Sequence, residues 1–136
     1  MTPPLITALT ATATSLLLAL ALPSSAAQVA TPAALLAGYT AQAGSAAQPS
    51  RGQQLFTSRH GRDWSCSSCH GATPTQPGKH ASTGKAIDPL APARNSQRFT
   101  DTAKTEKWFR RNCNDVLGRE CSAAEKADVL AWLMTL

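Results

Sequence analysis

Residues 1–22 contain no charged side chain, and Leu16 to Leu22 (LLLALAL) form an apolar run. That run is too short to span a membrane as a lone helix. Pro23-Ser24-Ser25-Ala26-Ala27 follows, with small residues at Ser25 and Ala27. The pattern predicts a signal peptide over 1–27, cleaved after Ala27, and export to the periplasm. The charge-poor start, in which only the Met1 amino group is positive, keeps an uncleaved anchor as the alternative.

Helical spacing organises the rest. Thr31-Pro32 reads as an N-cap and first helical position. Leu35, Leu36 and Tyr39 then fall on one side of a short helix over 33–43. Gly44 to Pro49 is a small-residue linker, so 28–50 reads as an accessory helix and linker preceding a main domain over 51–136. Ser50 is a candidate N-cap for a helix over 51–59, with Gly52 and Phe56 on one face. Residues 71–97 carry Pro74, Pro77, Gly78, Gly84, Pro89 and Pro92, which excludes a long helix or strand there. Thr100 or Asp101 can cap a third helix over 102–112, and Asp115 to Glu120 reads as a loop hinged at Gly118. Ser122-Ala123-Ala124-Glu125 is a capping box that opens a last helix over 123–135, with Val129, Trp132 and Leu133 as its apolar stripe. Plain core packing is the expectation for Phe56 and Trp132. No segment alternates as a strand does, so the fold class is all-α.

Composition changes this picture in one respect. Lys and Arg number 13 against 8 Asp and Glu, a net charge of +5. The basic residues are scattered and no binding motif accompanies them, so a nucleic-acid partner is excluded. A positive surface could guide docking to an acidic redox protein, or simply keep the chain soluble.

The chemistry is concentrated in Cys66-Ser67-Ser68-Cys69-His70, the C-x-x-C-H pattern of c-type haem attachment. Two thiols three positions apart on a helical turn can form thioethers to both vinyl groups of one porphyrin. His70 then lies under the ring, with an imidazole nitrogen aimed at the iron. Two other uses compete for the cysteines. They could be half of a zinc site completed by Cys113 or Cys121. They could also be a redox dithiol, although the βαβ context of such sites is missing. In an oxidising compartment, four cysteines divide as two for haem and two, Cys113 and Cys121, for a disulfide. A loop that short stabilises by roughly 2–3 kcal/mol in the chain-entropy picture.

Gly52 with Phe56, C-x-x-C-H, and a closing helix bearing Trp132 resemble the class I cytochrome c plan. In that plan the first and last helices cross at a Gly–aromatic contact against the haem. Its sixth iron ligand is a Met, but the mature part retains only Met134, inside the last helix, where core filling is the expected role. Thr83-Gly84-Lys85, Pro89-Leu90-Ala91-Pro92, Arg98-Phe99-Thr100-Asp101 and Lys107 to Cys121 carry a narrower resemblance, to the family of cytochrome c double-prime and sphaeroides haem protein. The resemblance implies one covalent haem c, a class I-like fold with an extra N-terminal helix, and a Cys113–Cys121 disulfide. In cytochrome c double-prime the residue before the first cysteine of that pair is a His that ligates the iron; in sphaeroides haem protein it is an Asn. Here it is Asn112. The implied metal ligands are therefore His70 and Asn112.

A carboxamide is a weak ligand, and softer ferrous iron favours imidazole, thioether or a π-accepting gas. Reduction should release Asn112 and open the iron to O2 or NO, with Trp108 and Phe109 walling the pocket. Asn112 as an ordinary helix C-cap is the alternative. His60 and His80 are rival sixth ligands. Lys79, Lys85 and Arg98 are candidates for pairing with haem propionates, against plain surface charge. The expected function is reversible ligand binding coupled to electron exchange with another redox protein, such as a multihaem or membrane-bound cytochrome. A permanently six-coordinate electron carrier is one alternative. An enzyme acting on peroxide, NO or hydroxylamine is the other, ranked lower because no distal His is evident.

Overall fold

The computed structural model describes residues 30–136, and the expected signal peptide and its cleavage site lie outside them. Five helices carry the fold: α1 (Pro32–Ala43), α2 (Pro49–Thr57), α3 (Cys66–His70), α4 (Thr102–Leu117) and α5 (Ala123–Leu133). A two-residue antiparallel pair, β1 (Gly78–Lys79) with β2 (Ala86–Ile87), pins the loop between α3 and α4, with Gly78 opposite Ile87. The all-α expectation holds.

Several boundaries differ from those read in the sequence, each for an identifiable reason. Thr31 caps α1 as expected, its hydroxyl accepting from the Ala34 N–H at 3.1 Å. The second helix starts at Pro49 rather than after Ser50. Proline at the first helical position has no N–H to satisfy and a preset φ. The preceding Gln48 N–H donates to the Asp128 carboxylate, so a tertiary contact takes the place of a local cap. The helix expected over 102–112 does not stop at Asn112: α4 runs to Leu117. Gly118, at φ 72°, is its left-handed stop, so the first half of the expected Asp115–Glu120 loop is a final helical turn. Asp101, not Thr100, is the cap of α4, accepting from the Lys104 N–H at 2.9 Å. The capping box at Ser122 and Glu125 forms as read.

Two buried clusters meet along α5. Ala30, Leu35 and Tyr39 pack with Ala127 and Leu130, while Phe56 packs with Val129, Trp132 and Leu133. Phe99 and Phe109 touch both clusters. Phe99 holds a left-handed backbone (φ 60°), a conformation that costs energy for an aromatic residue and persists where packing on both sides enforces it. The crossing of α2 and α5 demands glycine at Gly52. A Cβ there would lie 2.0 Å from the Asp128 carbonyl oxygen. Beside it, Arg51 forks onto the buried Asp128 carboxylate at 2.7 and 3.1 Å. Met134 is not core filler. It lies past the end of α5 and is 39% exposed.

Candidate haem site

The haem-attachment turn is held from three sides. Before it, the buried Ser65 donates its N–H to Ser68 Oγ at 3.0 Å, and its hydroxyl bonds those of Ser67 and Ser68. The two residues between the cysteines thus fasten the turn they occupy. Behind it lies Gly78, where a Cβ would come within 2.2 Å of the Cys69 carbonyl oxygen. Beyond it, the Ala81 N–H points at Cys69 Sγ, 3.3 Å away. The proline-rich loop is ordered by its own bonds: the Pro74 carbonyl accepts from the Leu90 and Ala91 N–H groups at 3.0 and 3.1 Å.

Cys66 and Cys69 are free thiols, whereas Cys113 and Cys121 are bonded to each other with Cα atoms 5.6 Å apart. That pairing removes both thiols a zinc site would need. Burial pushes the Cys66 thiol up to about 11, the opposite of the lowered value that makes a redox dithiol reactive. Burial, with the positive charges of Arg98 and His80, pushes His70 down to about 4, so its imidazole stays neutral and able to ligate. The His70 ring lies 6.0 Å from the Phe56 ring, which packs on Trp132 at 5.0 Å. Two available thiols on one braced turn, followed by an imidazole with no hydrogen-bond partner among the described residues, suit covalent haem with His70 on its iron.

On α4, Thr105, Cys113 and Val116 are buried and Phe109 is half-buried; Asn112 flanks that face, also half-buried. Asn114 returns its Nδ2 to the Arg110 carbonyl at 2.8 Å, but the Asn112 amide has no side-chain hydrogen bond among the described residues. Asn112 is also six residues before the helix stop at Gly118, so it is not the C-cap. Trp108, four residues earlier, is 42% exposed, with the Arg111 guanidinium over its ring at 5.6 Å.

The rival histidines are engaged elsewhere. His60 bonds the Leu55 carbonyl through Nε2 at 2.9 Å, closing the end of α2. His80 Nδ1 accepts from the Thr83 N–H at 3.3 Å within a tight turn. Arg98 donates to the Asp88 and Pro89 carbonyls at 2.8 and 3.0 Å, clamping the loop. Lys79 and Lys85 are exposed. The sequence reading passed over two further contributors. Arg62, in the segment leading to the turn, reaches the Asn114 carbonyl at 3.3 Å and lies against Gly118. Glu106 joins three helices, as described below. No local spacing marks either, because their partners are distant in the chain.

A family described as a domain of unknown function (DUF1924) matches residues 42–133. Over 106 residues the chain is 53% identical to the cytochrome c-type protein SHP of Cereibacter sphaeroides, covering 75% of this chain and 81% of that protein. The fold matches that of oxidised SHP, an oxygen-binding cytochrome c, with a TM-score of 0.74 at 50% identity, over 79% of this chain and 98% of the other. It matches oxidised cytochrome c'' from Methylophilus methylotrophus with a TM-score of 0.67 at 38% identity, over 76% and 93%. Fold and attachment turn together define a monohaem c-type cytochrome, whose cofactor is one covalent haem c with its iron. Within that class, the chain belongs to the family of SHP and cytochrome c'', which is also the DUF1924 family.

Proposed function

We propose that this is an exported, periplasmic cytochrome in which Asn112 is a weak distal ligand opposite His70, leaves the iron on reduction, and thereby admits O2 or NO. The observation that carries this reading is the half-buried Asn112 amide, without a protein partner among the described residues and directly beside the Cys113–Cys121 bond. Bound haem supplies a one-electron couple and, once reduced, affinity for diatomic gases. The chain's part is to control access. Cys66 and Cys69 anchor the group, and His70, kept neutral by burial, supplies the strong proximal bond. The Asn112 carboxamide, a poor donor to ferrous iron, would compete weakly with a gas for that position and could offer its N–H as a hydrogen-bond donor there. The disulfide keeps it close enough to return on oxidation, and Phe109 closes the pocket on the α4 side, with Trp108 at its rim. Electron exchange with another redox protein, steered by the net positive charge, completes the cycle.

The test is to reduce the holoprotein and add CO or O2. A Soret shift at low ligand concentration is expected. An unchanged, low-spin spectrum in both oxidation states would overturn the reading in favour of a permanently six-coordinate electron carrier.

A further inference from the structure

The helix that carries Asn112 is held at both ends, and only one of the holds is covalent. Cys113, next to Asn112, is tied to Cys121. Six residues earlier, Glu106 accepts two short hydrogen bonds from two other helices. Tyr39 of α1 donates its hydroxyl to Oε1 at 2.6 Å, and Lys126 of α5 donates Nζ to Oε2 at 2.6 Å. The triangle closes on itself, because Lys126 Nζ also lies over the Tyr39 ring, 5.6 Å from its centroid. Tyr39 grips α4 a second time, its ring edge-on to Phe109 at 5.8 Å. Phe109 is one helical turn before Asn112. Tyr39 is 3% exposed and the Lys126 side chain 15%, so both donors are shielded, while the accepting Glu106 side chain is 40% exposed. Burial pushes the Glu106 carboxyl up, but the hydrogen bonds from Lys126 and Tyr39 and the charges of Lys126 and Arg110 outweigh it and leave the group below its usual range.

We infer that the Tyr39–Glu106–Lys126 triangle is a positioning device for Asn112: it fixes the rotation and height of α4 and so sets how well the amide competes for ferric iron. This rests on the proposed Asn112 ligation. Three residues from three helices meet at one carboxylate, and the turn they hold leads through Phe109 to the amide. Asn112 thus sits between a covalent tether and a polar one. Rupture of the polar tether alone frees α4 to rotate about the disulfide, and the amide loses its aim while the haem and His70 stay in place.

Glu106→Gln and Tyr39→Phe holoproteins test this, with Asn112→Ala as control and cyanide as the ferric-iron probe. The expected result is tighter cyanide binding in both variants, by about three- to tenfold, the worth of one withdrawn hydrogen bond expressed as competition. The ferric spectrum should shift toward five-coordinate high spin, with haem content and the ferrous CO affinity unchanged. Lys126→Arg, which keeps the charge and donor, should retain wild-type cyanide affinity. If Asn112→Ala alters the ferric spectrum and tightens cyanide while Glu106→Gln and Tyr39→Phe leave both at wild-type values, the positioning role is overturned and the ligation stands. If Asn112→Ala itself changes nothing, the ligation falls and the device with it. Should Glu106→Gln fail to accumulate, Tyr39→Phe, which removes one oxygen and keeps the ring packing, decides alone.

Discussion

Asn112 and Gly52 show how differently single residues can matter in this chain. Asn112 packs no core, and its proposed value lies in being a feeble ligand at a fixed place. Gly52 has no chemistry, and its value is the absent side chain. A Cβ at Gly52 would stand 2.0 Å from the Asp128 carbonyl and 2.7 Å from the Val129 amide nitrogen, both of them backbone that cannot swing aside. Gly52→Ala should therefore lower stability by on the order of 3 kcal/mol, read as a drop in holoprotein melting temperature. An unchanged melt would mean that α2 and α5 do not cross so closely. Cys66, Cys69 and His70 could be singled out from the sequence because the attachment pattern depends on local spacing, whereas Asn112 stands out only through the family resemblance carried by the segment around Cys113. Glu106 could not, since Tyr39 lies 67 residues before it and Lys126 lies 20 after it, so no periodicity joins them.

Among the elements, α4 and α5 differ in what ends and anchors them. The sequence marks the start of α5 through Ser122 and Glu125, but the helix read over 123–135 ends at Leu133, because apolar residues continue past its end. The sequence offers Thr100 or Asp101 as the start of α4 and understates its length, because Asn112 resembles a cap residue while the stop is Gly118. The Glu125 carboxylate takes a bidentate pair from Arg119 at 2.7 and 2.8 Å and the Ser122 N–H at 2.8 Å. The hydrogen bond from Arg119, outweighing burial, brings Glu125 down to about 2. A carboxyl whose folded pKa is depressed stabilises the fold above its unfolded pKa and loses that contribution as pH falls through the folded one. Glu125→Gln should thus melt below wild type at pH 7, and the gap should close between pH about 4.5 and about 2. A pH-independent gap would contradict the ion pair. Replacement of Cys113 and Cys121 by alanine should cost roughly 2–3 kcal/mol of stability in the chain-entropy picture. It should also raise the ferric high-spin fraction, because α4 then loses its one covalent tie and keeps only the Glu106, Phe109 and Arg62 contacts. A loss of stability with an unaltered ferric spectrum would separate the disulfide from the ligand.

For the whole molecule, two buried clusters share α5, and Phe99 and Phe109 stitch the clusters together. The loop around Gly78 braces the proximal turn by close backbone contact, and the cluster that Phe56 shares with α5 packs against Cys66 while the Phe56 ring faces His70. The distal helix is attached more lightly, through one disulfide, one polar triangle, the Phe109 edge and the Arg62 bond at its last turn. A stiff His70 side and a tethered Asn112 side suit the proposed function, in which one iron ligand is kept and the other released. The measurement that bears most directly on this is the ferric electron paramagnetic resonance spectrum of Asn112→His. An imidazole at that position is expected to bind opposite His70 and convert ferric iron to a low-spin bis-histidine signal. A spectrum indistinguishable from wild type would show that the side chain at 112 does not reach the metal.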